Sequence, residues 1–184
     1  MKKILALVLA TTLGLSMIAC GNNEVVETTE SVVETTETVA TESATTENVT
    51  TDGPTVGEIA LEAFETYVAA NEGTAEEAAN AVAVALEDIF GPVVMPVEEG
   101  FLTGFDNVEI KGFKEGAMFA PMIGTIPFVG YVFTMDDAAA AVELSTLLEE
   151  NANPRWNICT EADEMFTTVS GNKVFFVMSP SSFE

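Results

Sequence analysis

Few residues in this chain are of types that do chemistry. The most distinctive run is Asn153-Pro154-Arg155-Trp156-Asn157-Ile158-Cys159, which holds the only Trp and the only Arg of the sequence. Trp stacks on sugars and cations, and Arg forks to carboxylates, so Arg155, Trp156 and Asn157 form a candidate ligand platform. The competing reading places Trp156 and Ile158 in the core, with Arg155 answering the surrounding acid, and we adopt it as the expectation. Cys159 is a candidate nucleophile only if a helix N-terminus lowers its pKa, and a buried, inert thiol is expected instead. The sequence has no histidine. Ser-His-Asp and Cys-His catalysis are therefore excluded, and so is the commonest metal ligand. The acidic pairs Asp136-Asp137 and Glu149-Glu150 supply oxygen ligands for calcium in principle, but no Asp-x-Asp-x-Asp-Gly loop accompanies them, and caps and solvated faces are the expectation. No catalytic constellation, metal site or cofactor follows from these residues.

Cys20 carries a different chemistry. Met1-Lys2-Lys3 is a short basic segment, and Ile4 to Ile18 is apolar without a charge. That run is shorter than the roughly 20 residues a spanning helix needs, and it has the shape of a signal peptide. It closes on Leu15-Ser16-Met17-Ile18-Ala19-Cys20, which resembles a lipobox: a small residue before the cut, then a thiol to accept a diacylglyceryl group. Met17 stands where Leu is usual. Two acyl chains anchor stably where one binds marginally, at about 0.8 kcal/mol per buried methylene. The expectation is a signal peptide over residues 1–19 and a palmitate-type lipid on Cys20, holding the protein on the extracytoplasmic face of the cell membrane. Gly21 is not the Asp that sorts lipoproteins to an inner membrane.

The charge balance limits the partners. All 30 acidic residues follow Cys20, whereas two of the six basic ones precede it, so the mature chain is more acidic than the −24 of the whole. Such a field repels nucleic acid and anionic lipid heads. The expected membrane contact is the covalent lipid alone, and any other partner is a protein or a small molecule. With Cys20 acylated, Cys159 has no internal disulfide partner, and the domain must rely on its core.

Residues 20–56 read as a tether. Val25-Val26-Glu27-Thr28-Thr29-Glu30-Ser31 is nearly repeated as Val32-Val33-Glu34-Thr35-Thr36-Glu37-Thr38. Adjacent apolar pairs do not make a coiled-coil seam, and Thr is a poor helix former. Residues 22–55 contain eight acids, no base and no aromatic, so they cannot bury enough surface to order themselves. A flexible chain of this length spans roughly 30–35 Å.

Residues 57–184 read as one domain. A first helix is expected over Glu58–Ala70, with Ile59, Ala60, Ala63, Phe64, Tyr67 and Val68 on one face. Thr74-Ala75-Glu76-Glu77 is a capping box opening a second helix that ends at Phe90-Gly91-Pro92. A Gly- and Pro-containing stretch runs to Asn107. Val108–Lys111 alternates like a strand, and Ile126–Thr134 reads as a strand covered on both faces. Phe119-Ala120-Pro121-Met122-Ile123-Gly124 is expected to be a buried hairpin connection; an exposed apolar loop for a partner is the alternative. Asp136 caps a third helix to about Glu150. Thr160-Glu161-Ala162-Asp163 opens a short fourth helix with Met165, Phe166 and Val169 on one side. Gly171-Asn172 turns into a buried strand, Val174–Met178. The order α-α-β-β-α-α-β predicts an α+β fold with a small, mostly antiparallel sheet of three to four strands.

A lipobox, an acidic Thr-rich tether, a hairpin, a helix and Gly171-Asn172-Lys173-Val174-Phe175-Phe176-Val177 occur in that order. Over residues 95–180 this resembles the lipoproteins of Gram-positive gut anaerobes that carry the domain of unknown function 4358. Ala120-Pro121-Met122 and the closing strand match best, and Arg155 to Cys159 do not map onto that pattern. The resemblance implies location and fold; that family has no established activity. The expected function is therefore a lipid-anchored binding or accessory module. The alternatives are a small carboxylate-based hydrolase, for which no pair of acids stands out, and a transporter's solute-binding lipoprotein, which is usually two-lobed and about twice this length.

Overall fold

The structure is a computed structural model describing residues 53–182. The signal peptide, Cys20 and all of the tether up to Asp52 lie outside the described residues. No helix among the described residues is long and apolar enough to cross a membrane.

The fold is α+β in three layers. A five-stranded antiparallel sheet has the order β1-β4-β5-β7-β6, with β1 Val93–Pro96, β4 Glu115–Ala120, β5 Val129–Thr134, β6 Glu164–Ser170 and β7 Lys173–Ser179. Two short strands, β2 Gly100–Phe101 and β3 Glu109–Ile110, pair separately. Helices α1 Val56–Ala70 and α2 Ala75–Ala85 cover one face of the sheet, and α3 Ala138–Asn151 covers the other.

Local chemistry sets the helix starts. Thr55 and Glu58 cap α1 reciprocally, Thr55 N–H donating to Glu58 Oε2 at 2.8 Å and Glu58 N–H to Thr55 Oγ1 at 3.2 Å. Thr74 and Glu77 do the same for α2 at 2.8 and 3.1 Å. Each cap contributes about 1 kcal/mol. Asp137, not Asp136, caps α3 by accepting the Ala140 N–H at 2.9 Å. Asp136 instead meets Lys114 at 2.8 Å. The helix α2 proper ends at Ala85, and the chain continues in turns through Phe90.

The apolar periods then dock the helices. Ala60 and Phe64 of α1, and Ala78, Ala79 and Val82 of α2, are fully buried against Ala117, Phe119, Val132, Phe175 and Val177. Phe64 stacks on Phe175 with ring centroids 4.9 Å apart. On the far face, Ala141, Leu144 and Leu148 of α3 pack with Tyr131, Phe133, Val174, Phe176 and Met178. Helices on both sides explain why β5 and β7 read as continuous apolar runs instead of alternating ones. Gly130 makes room within β5, because a Cβ there would occupy the space of the Phe119 ring.

Three segments depart from expectation. The fourth helix is absent: Glu164–Ser170 is the edge strand β6, paired with β7 through a two-residue loop whose Gly171 has φ +60°. Thr167, Thr168 and Val169 favour the pleat, and Phe166 and Val169 point into opposite layers, as strand residues do. Asp163 does not cap a helix; its carboxylate accepts the Ser181 N–H at 3.0 Å. The stretch 91–107 contains β1 and β2, and β4 occupies 115–120. Those strands are short or interrupted by Pro and Gly, so they carry no clear period of their own; pairing with neighbours makes them strands.

Candidate functional site

The segment 153–159 is held by Asn153. Its N–H donates to Gly104 O at 2.9 Å, its side-chain amide to Asp106 Oδ1 at 2.7 Å, and its Oδ1 accepts the Arg155 N–H at 2.9 Å. These bonds tie the segment to the 103–106 loop, where Tyr131 also donates its hydroxyl to Thr103 O at 2.8 Å. Burial of that phenol pushes its pKa well above the ordinary value.

Trp156 is neither a core plug nor a free platform. It is half-buried, with one side against the α3-face core and the other lining a hollow of about 300 Å³. Asn157 lines the same hollow and donates its amide to Gly124 O, clamping the 121–124 loop alongside. Pro121, Ile123, Ile126 and Phe128 complete an apolar wall. Trp156 and Asn157 thus come together, but Arg155 does not join them: it pairs with Glu161 at 3.5 Å, and both side chains are more than half exposed.

Three further expectations are corrected. Ile158 is 94% exposed and takes no part in the core. The 121–124 loop is not a buried connection, since Met122 is 83% and Ile123 63% exposed. A short turn, with Thr160 N–H donating to Asn157 O at 2.9 Å, directs Ile158 outward. Cys159 is exposed, not buried. With β6 in place of the expected helix, no helix among the described residues begins at the thiol. Among the described residues, no three Cys, Asp or Glu side chains converge as metal ligands.

Sheet register builds a second concavity that no motif announced. Glu115 pairs with Thr134, Thr134 with Lys173, and Lys173 with Ser170. Side chains alternate along strands, so all four fall on the α1–α2 face, in line with the apolar rows Ala117–Val132–Phe175 and Phe119–Gly130–Val177. The helix pair ends before reaching this polar row. The α1–α2 connection at Asn71–Thr74 and the β6–β7 turn close a cleft of about 510 Å³ over it. Glu115 accepts the Ala75 N–H at the start of α2 at 3.2 Å. Each of the four is an ordinary strand-end polar residue in isolation, and only the register aligns them.

At the opposite end of β6, Glu164 faces Thr55, Glu58 and Asp163. Burial raises its pKa, and Glu58 and Asp163 raise it further, while hydrogen bonds from Thr55 and the Gly57 backbone lower it in part. No protein-family model, no curated protein and no solved structure matches this chain.

Proposed function

We propose that the chain is a lipid-anchored binding module on the extracytoplasmic face of the cell membrane, held by acyl chains on Cys20 and given reach by the acidic tether. The domain binds through the apolar collar around Trp156. One observation carries this reading: Met122, Ile123 and Ile158, 83, 63 and 94% exposed, stand on the two loops that border the Trp156 hollow. Scattered exposed apolar residues are ordinary, but a cluster beside a concavity marks a contact surface. The loops are clamped to each other through Asn157 and to the scaffold through Asn153, so the collar is preorganised and loses little entropy on binding.

The acidic excess selects the partner's charge. A peptide or protein segment that presents an apolar side chain flanked by lysine or arginine meets both the collar and the surrounding field. The resemblance to lipoproteins with the 4358 domain agrees with the location and adds no activity.

Trp156 is the sole Trp, so its emission reports the hollow directly. Lysine-flanked leucine and phenylalanine peptides titrated into the protein should produce a saturable blue shift that weakens with salt and disappears in Ile123→Asp. If the emission responds to none of them, the collar is not a binding surface. Anchoring is tested separately: Cys20→Ala should leave the membrane fraction or remain uncleaved, and a processed mutant still firmly bound refutes the lipid.

A further inference from the structure

Four basic side chains fall within the described residues, and three of them have carboxylate partners: Lys111 with Glu109 at 3.5 Å, Lys114 with Asp136 at 2.8 Å and Arg155 with Glu161 at 3.5 Å. The fourth, Lys173, has none among the described residues, although it is the most buried of them, with nine-tenths of its surface covered. The covered part is the alkyl stem: the Lys173 ammonium is not among the buried polar atoms and reaches solvent. Lys173 lines the cleft beneath the α1–α2 connection. Beside it in register, Thr134 has a buried hydroxyl that no described residue satisfies. That hydroxyl lies beneath the surface, and the Lys173 ammonium on the same rigid sheet presents the charged donor to an oxyanion.

A bare anion does not suit the whole cleft. Glu115 and Glu72 line it too, and the domain's field repels negative charge. Glu115 stands across the row from Lys173, one strand beyond Thr134. Its carboxylate takes a backbone N–H from α2 and retains capacity for further donors. A ligand fitting both ends has a carboxylate for Lys173 and an ammonium for Glu115. We infer that the cleft formed by Glu115, Thr134 and Lys173 binds a small zwitterion, a free amino acid or a short peptide. Its volume of about 510 Å³ is within the range of small-molecule sites. The site is separate from the Trp156 collar and stands or falls independently of it.

Calorimetry on the full-length protein at low salt tests this, with the free amino acids, glycylglycine and trialanine as probes. Acetate and methylamine serve as single-charge controls. At least one zwitterion should bind saturably, and its N-acetyl and methyl-ester derivatives should each bind at least tenfold more weakly, having lost one charge. Lys173→Met keeps the buried stem and removes the ammonium; it should lose about tenfold or more, as should Glu115→Gln. Trp156 emission should be unchanged in both variants, showing that they fold and that the collar is untouched. Protection of the Lys173 amine from reductive methylation by the bound probe gives a second readout that requires no variant. Absence of binding by every probe overturns the proposal. So does binding indifferent to Lys173→Met, or an acetate affinity equal to that of the best zwitterion.

Discussion

Phe64→Ala probes the contact that holds the helix pair to the sheet. Phe64 is fully buried in α1 and stacks on Phe175 of β7 at 4.9 Å and 24°, and Phe175 stacks in turn on Phe119 at 6.0 Å. Truncation removes six ring carbons from a site walled by sheet and helix, where little can collapse into the space. The expected cost is about 3–5 kcal/mol, of which roughly 0.5–1.5 belongs to the ring pair itself. A domain of this size has about 5–15 kcal/mol in total, so the melting temperature should fall by roughly 10–20 °C. Urea unfolding should be followed by far-UV circular dichroism, which sees the helices, and by Trp156 emission, which sees the opposite layer. Both transitions should shift together, because β5 and β7 belong to both cores. In a double-mutant cycle, Phe175→Ala should show a coupling of at least 0.5 kcal/mol with Phe64→Ala. A loss below 1 kcal/mol, or a cycle without coupling, refutes the packing. Separate transitions refute the single cooperative unit.

Trp156→Ala should cost only about 1–3 kcal/mol because the side chain is half-buried, and Ile158→Ser, at a 94% exposed site, should change stability by less than about 0.5 kcal/mol; thermal melts of both decide whether Ile158 has hidden contacts. Gly130→Ala should lose about 1–3 kcal/mol through overlap with the Phe119 ring, and Phe119→Leu should recover part of it; additive losses in chemical denaturation rule out that clash. Glu164 has a folded-state pKa raised above its unfolded one, so its ionisation destabilises the fold. That penalty is complete above the folded pKa and disappears as pH falls through it towards the unfolded value near 4.5. Glu164→Gln should therefore raise the melting temperature at pH 7 and lose its advantage near pH 4; a less stable Gln variant at pH 7 contradicts the assignment.

Whatever local periodicity encodes was legible in the residues themselves. Ala60 and Phe64 four apart, and Ala141, Leu144 and Leu148 at helical spacing, fall on buried faces as a 3.6-residue repeat requires. The Thr74–Glu77 box, the Gly171-Asn172 turn and the apolar runs of β5 and β7 announced themselves because each is a short-range pattern with its own physical cause. Tertiary pairing decided the rest. Ala162, Met165, Phe166 and Val169 fit a helix repeat, yet β7 offers an unpaired edge two residues away, and a ladder of hydrogen bonds outweighs weak helical preference in a segment rich in Thr. Burial of Trp156 is set by which loops meet it, and that depends on Asn153 and Asn157 reaching residues 33 to 47 positions distant. The alignment of Glu115, Thr134 and Lys173 depends on the register of three strands at once. A one-residue slip would move each side chain to the other face, so the polar row, and the cleft over it, exists only in the assembled sheet.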